Sequence, residues 1–135
     1  MFAQFENAIS INDKRMQIWN QYYKSLKPLA DLAYLELASI PDECNRNAHL
    51  LYIKVANIQE RTNLVNHLKA NGINAIFHYV PLHSSVAGSK HGYSHGDLNI
   101  TALESERILR LPLYFGLSTQ QIKVINSNLE AYYAC

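Results

Sequence analysis

Apolar residues open the chain as Phe2, Phe5, Ile9, Met16, Trp19, Tyr23 and Leu26, at spacings of three, four and seven. That recurrence predicts one stripe of a 3.6-residue helix. Glu6, Asp13, Lys14, Gln17, Asn20 and Lys24 fall on the opposite face. Pro28 is expected to end the helix, because it lacks a donor and crowds the residue before it. A long helix over 2–27, about 25 residues, is large for so small a domain and leaves room to pack against something outside this chain.

From Leu29 to Asn47 the pattern is irregular, with an extended piece near Tyr34 to Leu37 and turn residues at Pro41, Asp42 and Asn45. Alternation resumes at His49 to Val55, which predicts a strand with Leu51, Ile53 and Val55 on one face. Asn57 with Glu60 reads as a capping box that opens a helix striped by Leu64, Val65 and Leu68. Gly72 is its expected left-handed stop. Ile73 to Val80 predicts a second strand, ended by Pro81. Strand, helix and strand with short connections suggest a βαβ crossover.

Leu82 to Ile100, with Gly88, Gly92 and Gly96, reads as a long loop, which in a compact domain is usually functional or mobile. Thr101 with Glu104 predicts a capping box and a short helix. Leu109 to Tyr114 looks extended. Ser118 with Gln121 predicts a third capping box, before a helix striped by Ile122, Ile125, Leu129 and Tyr132. The expected class is α+β, a small α/β sandwich in a single domain over 1–135.

Charge narrows the function classes. Lys plus Arg is 12 and Asp plus Glu is 11, so the formal net charge is +1. That excludes a strongly basic nucleic-acid domain. No apolar run approaches the ~18 residues of a membrane span. The start lacks the basic and apolar regions of a signal peptide. Cys44 and Cys135 form neither a disulfide framework nor a zinc pattern, so a reducing cytoplasm is expected.

The candidate chemistry gathers around Phe77-His-Tyr-Val-Pro-Leu-His83. His78, Tyr79 and His83 put two imidazoles and a phenol at a strand end, where they can bond a sugar hydroxyl or a phosphate. The plain alternative is a half-buried strand histidine and a loop histidine with no site. His91 and His95 are spaced for metal only on a helix, and no carboxylate or cysteine completes a set, so no metal is expected. Ser84 and Ser85 lack the surroundings of a catalytic nucleophile. Glu104, Glu106, Arg107 and Arg110 read as a solvated helix face.

Five segments appear in order: Asn47-Ala-His49, Tyr52-Ile-Lys54, Phe77-His-Tyr-Val-Pro-Leu-His83, Ala87-Gly88 and Glu104-Ser-Glu-Arg-Ile-Leu-Arg-Leu-Pro-Leu-Tyr114. Together they resemble the C-terminal part of the DegT/StrS-type sugar-nucleotide aminotransferases, and most of all the members that aminate a dTDP-4-keto-6-deoxy sugar. The opening stretch, with Ile11-Asn12, Arg15, Trp19 and Tyr22-Tyr23, resembles that family's long helix before the small domain. Val86 departs from the pattern, where relatives tend to have proline.

The resemblance implies the C-terminal domain (28–135, after the long helix) of a fold-type-I pyridoxal-phosphate (PLP) transferase, with glutamate as amino donor and a homodimeric parent. It implies a role in surface polysaccharide (lipopolysaccharide or common antigen) synthesis. It implies that His78, Tyr79 and His83 contact the sugar nucleotide, and that the loop with Gly88, His91 and His95 lines the entrance. None of Lys14, Lys24, Lys27, Lys54, Lys69, Lys90 and Lys123 sits in a segment like the family's cofactor-lysine motif. The large PLP-binding domain is therefore expected to be missing and the fragment alone to be inactive, with no PLP bound. A different class, a stand-alone non-catalytic ligand-binding or interaction module, is the alternative.

Overall fold

The computed structural model describes residues 5–78, 80–92, 96 and 98–134. Helix α1 (Ala8–Asp31) leads through β1 (Glu36–Leu37) to β2 (Leu51–Lys54), then helix α2 (Ile58–Ala70) and β3 (Ile76–Phe77). A 3-10 turn (Leu82–Ser84) follows, then α3 (Val86–His91), α4 (Asn99–Arg107), β4 (Ile108–Leu111) and α5 (Thr119–Tyr133). The sheet order is β1-β2-β4-β3, and every neighbouring pair is antiparallel. Because β2 and β3 both run against β4, they run parallel to each other. The expected βαβ unit is thus present in split form, with β4 inserted between its strands.

Leu51 and Ile53 face Leu111 and Leu109 across the β2–β4 ladder, and all are buried. Helices α1, α2 and α5 cover that face, with Ile18, Trp19, Tyr22, Leu26, Leu64, Leu68, Ile122, Ile125 and Leu129 in the same core. Tyr52, Lys54, Ile108 and Arg110 lie on the other, half-exposed face. The result is the expected small two-layer sandwich.

Two caps follow the sequence closely. Ser118 Oγ accepts from Gln121 N and the Gln121 side chain accepts from Ser118 N, a complete capping box. Gly72 sits at φ +74°, with Ile73 N donating to Leu68 O at 2.9 Å and Gly72 N to Lys69 O at 3.0 Å. That pair of bonds is a Schellman stop, and the positive φ is why glycine stands there. At α2, Asn57 caps Glu60 N as expected, but the Glu60 carboxylate reaches back to Ala56 N instead of Asn57 N.

Other expectations need correction. Pro28 does not end α1, which continues to Asp31 and stops with Ala33 at φ +59°. Tyr34 N donates to Leu29 O and Ala33 N to Ala30 O, so an alanine fills the left-handed place. The buried face of α1 is Ile18, Trp19, Tyr22, Leu26 and Leu29. Phe5 is 70% and Ile9 79% exposed, and Tyr23 is only half-buried. Tyr22 takes its place because its hydroxyl donates to Pro112 O at 3.0 Å, giving a buried phenol a partner. Phe2 lies outside the described residues. The strand expected over 73–80 shrinks to Ile76–Phe77, and the expected 82–100 loop contains α3. Thr101 and Glu104 form no cap, because α4 begins at Asn99 and Glu104 is committed to ion pairs.

Candidate functional site

Strand β3 ends at Phe77, and Pro81 then turns the chain into the Leu82–Ser84 turn. Serines hold that turn. Ser84 Oγ donates to Pro81 O at 3.2 Å and Ser85 Oγ to Leu82 O at 2.9 Å. Ser85 Oγ also accepts from Gly88 N at 2.9 Å, which caps α3. These bonds give both serines a structural part in the turn.

Gly88 is where α3 crosses the turn. A Cβ there would fall 1.6 Å from the Leu82 carbonyl oxygen. Only glycine permits this approach, and the approach shapes a cavity of about 580 Å³ lined by Pro81, Leu82, His83, Gly88, Ser89, Gly92, Leu98 and Thr101. Its size lies within the usual ligand-pocket range of about 300–1,000 Å³.

His83 and Gly88 therefore meet at one cavity. His78 is half-buried just past β3 and is not part of that lining; His91 is exposed at the end of α3 and also lies outside it. Tyr79 and His95 lie outside the described residues, as does Cys135. Among the described residues, no group of three His, Cys, Asp or Glu side chains could hold a metal ion.

The sequence reading missed Leu98, the N-cap residue of α4, and Thr101 in its first turn, which line the same cavity. It also missed Arg61. Its guanidinium donates to Ser105 O at 2.7 Å and lies 5.1 Å from the Phe77 ring, tying α2 to α4 and to the strand that enters the site. Burial pulls its pKa below the ordinary arginine value.

Helix α4 is also anchored by charge. Lys54 Nζ lies 2.5 Å from Glu104 Oε2, and Arg107 Nη1 donates to Glu104 Oε1 at 2.9 Å. Arg107 also pairs with Glu36 and donates to Val55 O at 2.8 Å. The expected solvated face is thus correct for exposed Glu106 but not for Glu104 and Arg107. Register places this network at the end of β2 beside the end of β3, the same end as His83.

The hydrogen bond from Lys54 holds the Glu104 carboxyl below its ordinary value, helped by Arg107. A carboxyl depressed on folding stabilises above its unfolded value, about 4.3, and loses that contribution as pH falls through the folded one. Lys54 is raised by the same bond, so its share persists through neutral pH and fades only in strong base. Glu104→Gln is expected to cost about 1 kcal/mol at pH 7 and almost nothing near pH 2. Urea unfolding at both pH values checks this; an equal loss at both would contradict it.

The lysines bear on cofactor chemistry. Lys14, Lys24, Lys27, Lys69, Lys90 and Lys123 are exposed, and half-buried Lys54 is ion-paired with a raised pKa. A lysine that holds a carbonyl cofactor is activated by desolvation or a cationic neighbour. Lys54, held by Glu104 with its pKa raised, has the opposite setting.

In fold the chain matches about a third of several solved aminotransferases. It superposes on the aminotransferase TlmJ of Streptoalloteichus hindustanus with a TM-score of 0.83 at 20% identity, covering 98% of this chain and 34% of that one. For DesV of S. venezuelae, solved in complex with a ketimine intermediate, the values are 0.84 and 24%, covering 96% of this chain and 34% of that one. For NtdA of Bacillus subtilis with bound cofactor PMP they are 0.80 and 22%, covering 93% and 29%. The family model for the DegT/DnrJ/EryC1/StrS aminotransferases matches residues 1–130, and the chain belongs to that family. No helix among the described residues is long and apolar enough to cross a membrane.

Proposed function

We propose that this chain is the substrate-side C-terminal domain of a PLP-dependent transaminase that moves the amino group of glutamate to a dTDP-4-keto-6-deoxy sugar. The parent would be a cytoplasmic homodimer serving surface polysaccharide synthesis, with dTDP-4-amino-4,6-dideoxygalactose as the favoured product. The observation that carries this reading is the His83 cavity: in a chain of this family, the one segment that resembles the sugar-nucleotide motif is built around a glycine contact that leaves a ligand-sized space. Lysine placement supports a division of labour, in which polypeptide outside this chain holds the cofactor.

In that division His83, with His78 and Tyr79 beside it, binds and orients the sugar nucleotide. Gly88, His91 and His95 belong to the entrance. Proton transfer at the reacting carbon belongs to the cofactor lysine elsewhere. A charge-assisted or buried hydrogen bond of this kind contributes roughly 1–3 kcal/mol.

In the full-length enzyme, His83→Ala should therefore lower kcat/KM for the nucleotide sugar about 10- to 100-fold, mostly through KM. The half-reaction with glutamate, which carries no nucleotide, should keep its rate, and the cofactor's visible spectrum should not change. Loss of the glutamate half-reaction would overturn the assignment of His83.

A further inference from the structure

A second hollow lies at the other end of the molecule. Strands β2 and β3 run parallel, so the start of β2 and the end of β3 are at opposite ends of the sheet. The segment that enters β2 packs against the middle of α1 around a space of about 280 Å³, lined in part by Trp19, Asn20, Tyr23, Ile40, Asp42 and Arg46. The Arg46 guanidinium lies 4.2 Å over the Trp19 ring, and Trp19 stacks on Tyr23 with centroids 4.8 Å apart.

This geometry fixes a cation by its flat face. A stacked guanidinium keeps its N–H edge free, and that edge matches a carboxylate with two parallel bonds. The turn closed by Cys44 N donating to Pro41 O at 3.0 Å contributes Asp42 to the same lining. Among the described residues, neither Arg46 nor Asp42 takes part in an ion pair. One hollow therefore holds a positive and a negative side chain that do not neutralise each other. Tyr23 of α1 and Ile40 add apolar surface to the same lining.

We propose that this hollow is a binding site for a small zwitterionic amino acid. The carboxylate of the ligand meets Arg46, its ammonium meets Asp42, and its side chain lies against Tyr23 and Ile40. A simple anion would leave Asp42 as a repulsive neighbour, and a simple cation would leave Arg46 so. The zwitterion is the ligand class that satisfies both charges at once.

Trp19 is the single tryptophan of the chain, so its emission reports directly on this site. The 135-residue chain is titrated with L-alanine and L-leucine, and with acetate and methylammonium as half-ligands, by calorimetry and Trp19 fluorescence together. Expected is saturable binding of both amino acids with a change in Trp19 emission, and affinity at least about 10-fold weaker for either half-ligand. Arg46→Gln and Asp42→Asn are each expected to weaken L-alanine by about 10-fold or more. Both positions are exposed, so the variants keep the fold, and circular dichroism verifies this. No saturable heat with either amino acid would overturn the proposal. So would acetate binding as well as L-alanine, or an Asp42→Asn variant with unchanged affinity.

Discussion

Gly88→Ala is expected to dismantle the His83 cavity while leaving the rest of the domain folded. Two effects oppose each other. Alanine is favoured over glycine inside a helix by about 1 kcal/mol. Against that, the new Cβ would lie 1.6 Å from the Leu82 oxygen and 2.7 Å from its carbon, both backbone atoms that cannot rotate away. Relief requires α3 to move off the turn by more than an ångström, breaking the Ser85 cap and opening the wall beside His83. The steric term wins. Displacements of that size in a binding site cost on the order of 100-fold in rate. In the full-length enzyme kcat/KM for the nucleotide sugar should fall about 100-fold, and amide exchange over 86–92 should speed up. Global unfolding free energy should shift by less than about 1 kcal/mol, because α3 contributes no buried residue to the core. Gly92→Ala is the control: its Cβ would meet only Gly88 O, at 3.1 Å, and the effect should be small. Equal activity of Gly88→Ala and the parent would contradict this account of the site.

Ile53→Ala is expected to have the largest effect on stability. Ile53 is fully buried in β2, pairs with Leu37 on one side and Leu109 on the other, and lies under the helical layer. Removing buried methylenes from such a position costs the transfer free energy plus the cavity left behind, about 2–5 kcal/mol. A domain of this size is stable by only about 5–15 kcal/mol, so the loss is a large share. Urea unfolding should show a lowered midpoint with an unchanged slope. A loss below about 1 kcal/mol would mean that the site can collapse around the smaller side chain, and that the sheet centre is less tightly packed than its burial indicates.

What the sequence revealed follows from which forces are local. Helices α2 and α5 were legible because their caps, Asn57, Gly72 and Ser118, act within a few residues. Strands β2 and β4 were legible through alternation at Leu51, Ile53, Leu109 and Leu111. Helix α3 was hidden because Gly88 and Gly92 argue for loop, and only the contact with Leu82 explains a glycine in that helix. Pro28 misled because it removes only its own bond to the Lys24 carbonyl, while buried Leu26 and Leu29 keep the last turn of α1 packed. Tyr22 displaced Tyr23 in the core through a bond to Pro112, ninety residues away. At the site, His83 was singled out by the residues around the strand end and Gly88 by family resemblance, and both line one cavity. Leu98 and Thr101 join that cavity from the start of α4, and Arg61 of α2 ties α4 to the strand that leads into it, contacts that sequence order does not show. Glu104 and Arg107 looked like surface charges because their partners, Lys54 and Glu36, come from distant strands.

The central claim is that this chain serves the sugar side of the reaction and holds no cofactor lysine. The most direct measurement is to reduce the PLP-loaded full-length enzyme with borohydride, digest it and locate the labelled lysine by mass spectrometry. The account predicts a single phosphopyridoxyl-lysine in a peptide outside these 135 residues. A stoichiometric label on Lys54, or on any other lysine of this chain, would contradict it.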